Sequence, residues 1–178
     1  MGLRKASAYS RKLNRPYTRK SSVKSKSYVK TVPNQLVVKF KMGNIKDYDE
    51  GRMKYILILA SSEDILIRDN ALEASRQHIH KILEEELQGQ FYFEVKVYPH
   101  HIIREKKMLT GAGADRMSTG MTLSFGMPIG RGALVKKNQA IFLIAVENEK
   151  ARKIALNAYN KIKAKLPGHT RIVIEKLK

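Results

Sequence analysis

The sequence predicts an α+β fold: a mixed sheet with two helices packed on one face, a basic extended N-terminal arm and a long Gly-rich loop. Three observations carry this. Several apolar runs have strand length, while two longer stretches repeat their apolar residues at helical intervals. The first 35 residues are basic and aperiodic. Six of the 11 glycines crowd into residues 111–132. A chain of 178 residues with 43% hydrophobic content can bury one real core. We divide it into an arm over residues 1–35 and a single domain over 36–178, with 108–132 as a Gly-rich functional loop inside that domain.

Each element has a local reason. Residues 1–35 hold too little apolar surface to offset their ordering entropy, so the arm is expected to be disordered when free. LVVKFKMG (36–43) reads as a strand leading to a turn at Gly43-Asn44. KYILILAS (54–61) is a continuous apolar run and belongs in the centre of a sheet. Asn70-Ala71-Leu72-Glu73 has capping-box spacing. It opens a helix over about 69–88, with Leu72, Ser75, Ile79, Leu83 and Leu87 inward, Glu84, Glu85 and Glu86 outward, and Gly89 as its stop. FYFEVKVY (91–98) alternates as a half-buried strand, with Phe91, Phe93, Val95 and Val97 on one face. HHIIREKKML is a basic approach to the loop. GALVKK and AIFLIAVE form two strands joined near Lys137-Asn138. A second helix over about 149–165 has Ala151, Ile154, Ala155, Ala158 and Ile162 as its core stripe. Pro167-Gly168 ends it, and TRIVIEKL (170–177) is the last strand.

Charge narrows the function. The net charge is +19 and the isoelectric point near 10.1, so the surface seeks a polyanion, either nucleic acid or anionic lipid. Residues 1–46 carry 13 basic and no acidic residues, 47–95 carry 5 basic and 11 acidic, and 96–178 carry 17 basic and 5 acidic. Such sorting implies one face for the polyanion and another for water. Lipid is disfavoured, because the longest apolar run, Ala140–Val146, falls far short of the ~20 residues that span a bilayer. The basic N-terminus is followed by no apolar stretch, so no signal peptide is expected. The absence of cysteine excludes disulfides and thiolate metal sites, and a cytoplasmic location fits best.

Catalytic readings of the loop fail on spacing. MLTGAGADRMSTG (108–120) contains neither the P-loop pattern nor the dinucleotide-binding one. Asp115 beside its glycine amides would repel a phosphate. His78 and His80 lie about 200° apart on a helix and cannot share a metal. His100 and His101 are adjacent and would point to opposite faces of an extended chain. A triad of His101, Asp115 and Ser118 lacks a nucleophile elbow. Binding is what remains. Tyr9, Tyr17 and Tyr28, spaced among lysines and arginines, can stack on bases while the cations neutralise phosphates. Glycines let a backbone approach bases closely, Arg116 and Arg131 can pair with phosphates, and Met108, Met117 and Met121 adapt to irregular surfaces. Composition does not choose between RNA and DNA. An RNA-processing enzyme or a free assembly factor is the alternative from another class, but an enzyme needs convergent titratable groups in a cleft.

KKMLTGAGADRMSTGM followed by FGMPIGRGA resembles the universal sixteen family of large-subunit ribosomal proteins, in the archaeal and eukaryotic form called ten-e. The likeness continues through NRPYTRKS, Val32-Pro33, ALEASR, YPHHIIREKKML and AKLPGHTRIVI, and so covers nearly the whole chain. It implies a single α+β domain bound to large-subunit rRNA near the central protuberance and the tRNA-binding cleft, beside neighbouring ribosomal proteins. It also implies that the Gly-rich loop points toward the peptidyl transferase region and the acceptor arm of tRNA. On that basis Thr110, Gly111, Ala112, Gly113, Ala114, Asp115, Arg116, Met117, Ser118, Thr119 and Gly120 form a tRNA-proximal finger, with Arg116 its phosphate partner. Contacts to rRNA are expected from Arg4, Lys5, Arg11, Lys12, Arg15, Tyr17, Arg19 and Lys20 in the arm, where Tyr17 and Arg19 are best supported. Arg104, Lys106, Lys107 and Arg131 are expected to add to them beside the loop. The implied role is structural, with no catalysis, cofactor, metal, small-molecule substrate or membrane. Eukaryotic members often extend beyond the last strand, so an end at Lys178 favours the archaeal form.

Overall fold

The computed structural model describes residues 32–105, Gly113 and residues 127–176. Their order is β1 (Lys41–Gly43), α1 (Ile45–Asp49), β2 (Tyr55–Ser61), β3 (Ile65–Arg68), α2 (Asp69–Leu87), β4 (Phe91–Val95), β5 (His101–Glu105), β6 (Met127–Val135), β7 (Ala140–Val146), α3 (Glu149–Ile162) and β8 (Thr170–Lys176). A single 3-10 turn, Lys163–Lys165, extends α3.

The α+β class is as expected, and α2 and α3 pack together on one face. The strands, however, form two sheets, one with the order β1-β4-β7-β2-β8 and one with the order β3-β6-β5. Every pairing is antiparallel, where a single mixed sheet was expected. Two short strands account for the difference. Ile65–Arg68 runs directly into α2 and has too few residues to show a period, and HHIIRE reads as a basic connector until β6 pairs with it. The glycine-rich stretch also ends early, because β6 begins at Met127 and absorbs the last residues of 108–132. Conversely, residues 36–40 make no strand and only Lys41–Gly43 pairs, with β4.

One core joins both sheets to both long helices. Leu72, Ile79 and Leu83 of α2 and Ala151, Ala155, Tyr159 and Ile162 of α3 meet Leu57 and Leu59 of β2 and Phe142 and Ile144 of β7. Ile65 and Ile67 of β3 and Ala133 and Val135 of β6 close the same cluster. Each large apolar side chain removed from water here contributes about 1.5–3 kcal/mol. Tyr159 belongs to this stripe although its hydroxyl is polar, because that hydroxyl donates to the Leu57 carbonyl at 3.0 Å. The opposite face of the larger sheet is also covered. Tyr48 of α1 stacks on Tyr92 at 4.1 Å, and Met53 packs beside them, so β4 is buried on both faces where alternation suggested one.

The expected turn at Gly43-Asn44 is present, and its glycine is required. Gly43 has φ +85°, and a Cβ there would lie 2.1 Å from the Phe91 carbonyl oxygen. That carbonyl accepts the Asn44 N–H at 2.7 Å. Gly43→Ala therefore meets both a disfavoured backbone angle and a backbone clash. It should lower unfolding free energy by about 2–4 kcal/mol in a denaturant titration, with the m-value unchanged.

Candidate nucleic-acid interface

β5 and β6 are two legs that hold both ends of the segment between Glu105 and Met127. Their register runs His101↔Gly132, Ile102↔Arg131, Ile103↔Gly130, Arg104↔Pro128 and Glu105↔Met127. Between Ile103 and Arg104 the register skips Ile129 of β6, a bulge beside Pro128, where a residue without an N–H is tolerated. The legs are fixed from beneath: Ile102 and Ile103 are buried, and β6 pairs along its other edge with β3. Gly132 permits that close approach, since a Cβ would lie 2.9 Å from Leu66 Cδ1 and 3.1 Å from the Ile67 carbonyl oxygen. Glu105 at the end of β5 and Met127 at the start of β6 are thus paired neighbours in the small sheet.

The root of the arm is tied to the same place. Arg131 Nε donates to the Pro33 carbonyl at 2.6 Å. The Leu36 N–H donates to the Asp69 carboxylate, which also accepts the Asn70 N–H at 2.9 Å. Burial pushes the Asp69 pKa up, against these N–H bonds and the Arg131 charge, which pull it down. One turn further along α2, Glu73 accepts from Arg76 Nε at 2.8 Å and Nη2 at 2.5 Å, a two-pronged buried pair. Glu73 also accepts from Gln77 Nε2 at 2.9 Å and from the Val38 N–H at 3.3 Å, while Arg76 Nη1 reaches Met42 Sδ at 3.0 Å. The Arg76 bonds hold the Glu73 carboxyl below its usual range. Residues 33–42 are therefore strapped across α2 by carboxylates and guanidinium groups.

This strap corrects the capping reading. α2 begins at Asp69 after Arg68, with no side-chain cap; Asn70 lies inside the helix and its Oδ1 has no hydrogen-bond partner. Glu73 serves the strap instead of the helix terminus. Sequence spacing could not reveal this, because Val38, which donates to Glu73, and Met42, which Arg76 reaches, are each more than 30 residues away.

Of the expected contact residues, Arg104, Arg131 and Gly113 lie among the described residues. Arg104 is half-buried on β5, and Gly113 stands exposed in a turn with φ +75°. Arg131 is also half-buried, and its Nε is committed to the strap, a structural task that the phosphate-pairing expectation missed. Arg4, Lys5, Arg11, Lys12, Arg15, Tyr17, Arg19, Lys20, Lys106 and Lys107 lie outside the described residues, as do Thr110–Ala112 and Ala114–Gly120. So do Asp115 and Ser118, while His101 is buried in β5, where burial and then Arg104 push its pKa down. A cleft of about 200 Å³ opens beside the start of α2, lined by Leu66, Arg68, Asn70, Ala71, Ala74, Lys165 and Pro167. It holds two cations among small apolar groups and no carboxylate or nucleophile. Among the described residues no group of His, Asp and Glu could hold a metal, and no helix is long and apolar enough to cross a membrane.

Comparison with known proteins agrees across nearly the whole chain. Residues 13–173 match the family model described as ribosomal protein L16p/L10e. A protein of Methanococcus maripaludis named large ribosomal subunit protein uL16 is 44% identical over 177 residues, covering 99% of this chain and 96% of its own length. Proteins of that name from Caldivirga maquilingensis and Archaeoglobus fulgidus are each 40% identical, over 97% of this chain and 94% of their own lengths.

Two outcomes follow from the strap and the legs. Glu73→Ala leaves a buried guanidinium unpaired and should cost about 3–5 kcal/mol in chemical denaturation at neutral pH. Because the Glu73 pKa is depressed on folding, its contribution is complete above 4.5 and disappears as pH falls through the depressed value. For His101 the depressed pKa has the opposite consequence for charge: the folded state favours the neutral ring. Stability from this site is complete above 6.5 and declines as pH falls from there toward the folded value, and His101→Gln should flatten that part of the curve.

Proposed function

We propose, because the chain belongs to the ribosomal protein L16p/L10e family, that it is a structural constituent of the large ribosomal subunit, binding rRNA and catalysing no reaction. The match over residues 13–173 carries this reading, since it spans the later part of the arm, both sheets, both long helices and the segment between β5 and β6. The net charge of +19 supplies the chemistry: lysines and arginines neutralise crowded phosphates and release their counterions. Neighbouring ribosomal proteins are further partners, and the protein works in the cytoplasm within that subunit.

The finger is the finer part of the reading. Thr110–Gly120 lies close to tRNA near the peptidyl transferase region, with Arg116 on a phosphate. Its glycines allow the backbone to approach bases and sugars. Two features support the assignment. The segment between Glu105 and Met127 starts and ends on adjacent strands, as a projecting hairpin requires, and those strands are buried from below. The arm emerges beside the same strands, through Pro33 and Arg131. One region of the body thus anchors the root of the arm and both ends of the segment, as the reading requires.

Gradient sedimentation tests the assignment. The protein should travel with large subunits at low salt and leave them only at high salt, because phosphate contacts are screened and driven by counterion release. Recovery solely in the soluble fraction at low salt defeats it. Replacing residues 110–120 by a short glycine-serine link should leave rRNA affinity within about twofold and reduce tRNA binding or translation roughly tenfold, a loss of about 1.4 kcal/mol. Failed assembly combined with normal translation by the subunits that do assemble would make the segment an assembly clamp instead.

A further inference from the structure

Helix α3 presents an exposed polar face opposite its buried stripe. Lys150, Lys153, Asn157, Asn160 and Lys161 are exposed and fall within an arc of about 100° on the helix. From Lys150 to Lys161 the arc runs about 16 Å along the axis. The opposite arc is the buried stripe of Ala151, Ala155, Ala158, Tyr159 and Ile162. Among the described residues Lys150, Lys153 and Lys161 have no ion pair. The one carboxylate in the helix, Glu149, is engaged by Arg152 at 3.0 Å. Exposed Lys163 and Lys165 continue the charge beyond the helix end. The neighbouring helix shows the reverse, with Glu84, Glu85 and Glu86 exposed.

Helix stability does not explain this arc. Lys150 and Lys153 sit near the N-terminal end, where a positive charge opposes the helix dipole. Asn157 and Asn160 are poor helix formers in the helix interior, each costing up to about 0.7 kcal/mol relative to alanine, and they bury nothing in return. Lys161 alone suits its position near the C-terminal end. Residues that weaken their own helix and share one exposed stripe belong to a surface used for something else. Point cations alternating with amides that both donate and accept suit an RNA backbone, which offers phosphates and 2′-hydroxyls.

We propose that this face of α3 is a separate RNA-binding surface, with Lys150, Lys153 and Lys161 on successive phosphates of a large-subunit rRNA helix and Asn157 and Asn160 on ribose hydroxyls. It rests on the rRNA-binding reading above but needs nothing from the finger.

The test uses the full-length protein and deproteinised large-subunit rRNA, with affinity measured across a salt series beside the melting temperature. A Lys150→Gln, Lys153→Gln, Lys161→Gln triple variant should bind at least tenfold more weakly, with the slope of log K against log salt reduced by about two to three. A control triple that removes the same charge at exposed Lys46, Lys54 and Lys81 should change both quantities less. The Asn157→Ala, Asn160→Ala variant should melt higher than the wild type yet bind more weakly, a combination that a purely structural role cannot produce. If both lysine triples weaken binding equally, net charge alone acts and the surface is overturned. Unchanged affinity in the α3 variants, with tight binding by the wild type, overturns the surface and leaves the ribosomal reading intact. A wild type that fails to bind the rRNA removes both.

Discussion

The buried pair between Glu73 and Arg76 is the interaction on which the arrangement of the rest depends. Each charge would be costly if left alone in the interior, and each is satisfied several times over. Glu73 takes two guanidinium bonds, a side-chain amide and the backbone N–H of Val38, while Arg76 also reaches Met42. The pair therefore does more than stabilise a helix. It presses residues 36–42 against α2, and Asp69 and Arg131 continue the strap toward Pro33. Polar groups on α2 and β6 fix residues 33–38, and pairing with β4 holds Lys41–Gly43 beyond them.

That placement gives the charge pattern its meaning. The acidic middle of the chain supplies the strap carboxylates and the outer face of α2, while cations come from the arm, from the approach to the finger and from α3. A uniformly basic protein would repel itself and bind any polyanion in any orientation. Here the buried carboxylates hold the frame, and Glu84, Glu85 and Glu86 give α2 an acidic exposed face. Tyr55 shows the same economy at close range: Arg152 lies 5.7 Å and Lys176 5.8 Å from its ring centre, which steadies two cations on an aromatic face.

Much of the fold could be read from local pattern. The last strand, the inward stripes of both long helices and the strand Tyr55–Ser61, which lies inside the larger sheet beside its central strand β7, follow from apolar runs and periodicity. What escaped were features set by distant partners. β3 and β5 are short and gain their identity from β6, whose nine residues pair with both. Tyr92 looks like a solvent-facing residue until α1 brings Tyr48 over it. Glu73 has the spacing of a capping residue, and only the folded structure shows that it accepts from Arg76, Gln77 and the Val38 N–H instead. The site was legible in the same uneven way. The glycine motif pointed to a binding segment, but nothing in the spacing reveals that Arg131 Nε also holds the Pro33 carbonyl. On α3 the apolar stripe was legible from spacing, and burial separates it from the exposed arc of Lys150, Lys153, Asn157, Asn160 and Lys161.

The ladder from His101–Glu105 to Gly132–Met127 has one more consequence, for how such a chain can vary over time. Because the small sheet brings the two ends together, the body does not depend on how many residues lie between them. Doubling the length of a flexible connector costs only about 0.6 kcal/mol in closure entropy. Insertions and deletions between the two strands can therefore accumulate without retuning the core.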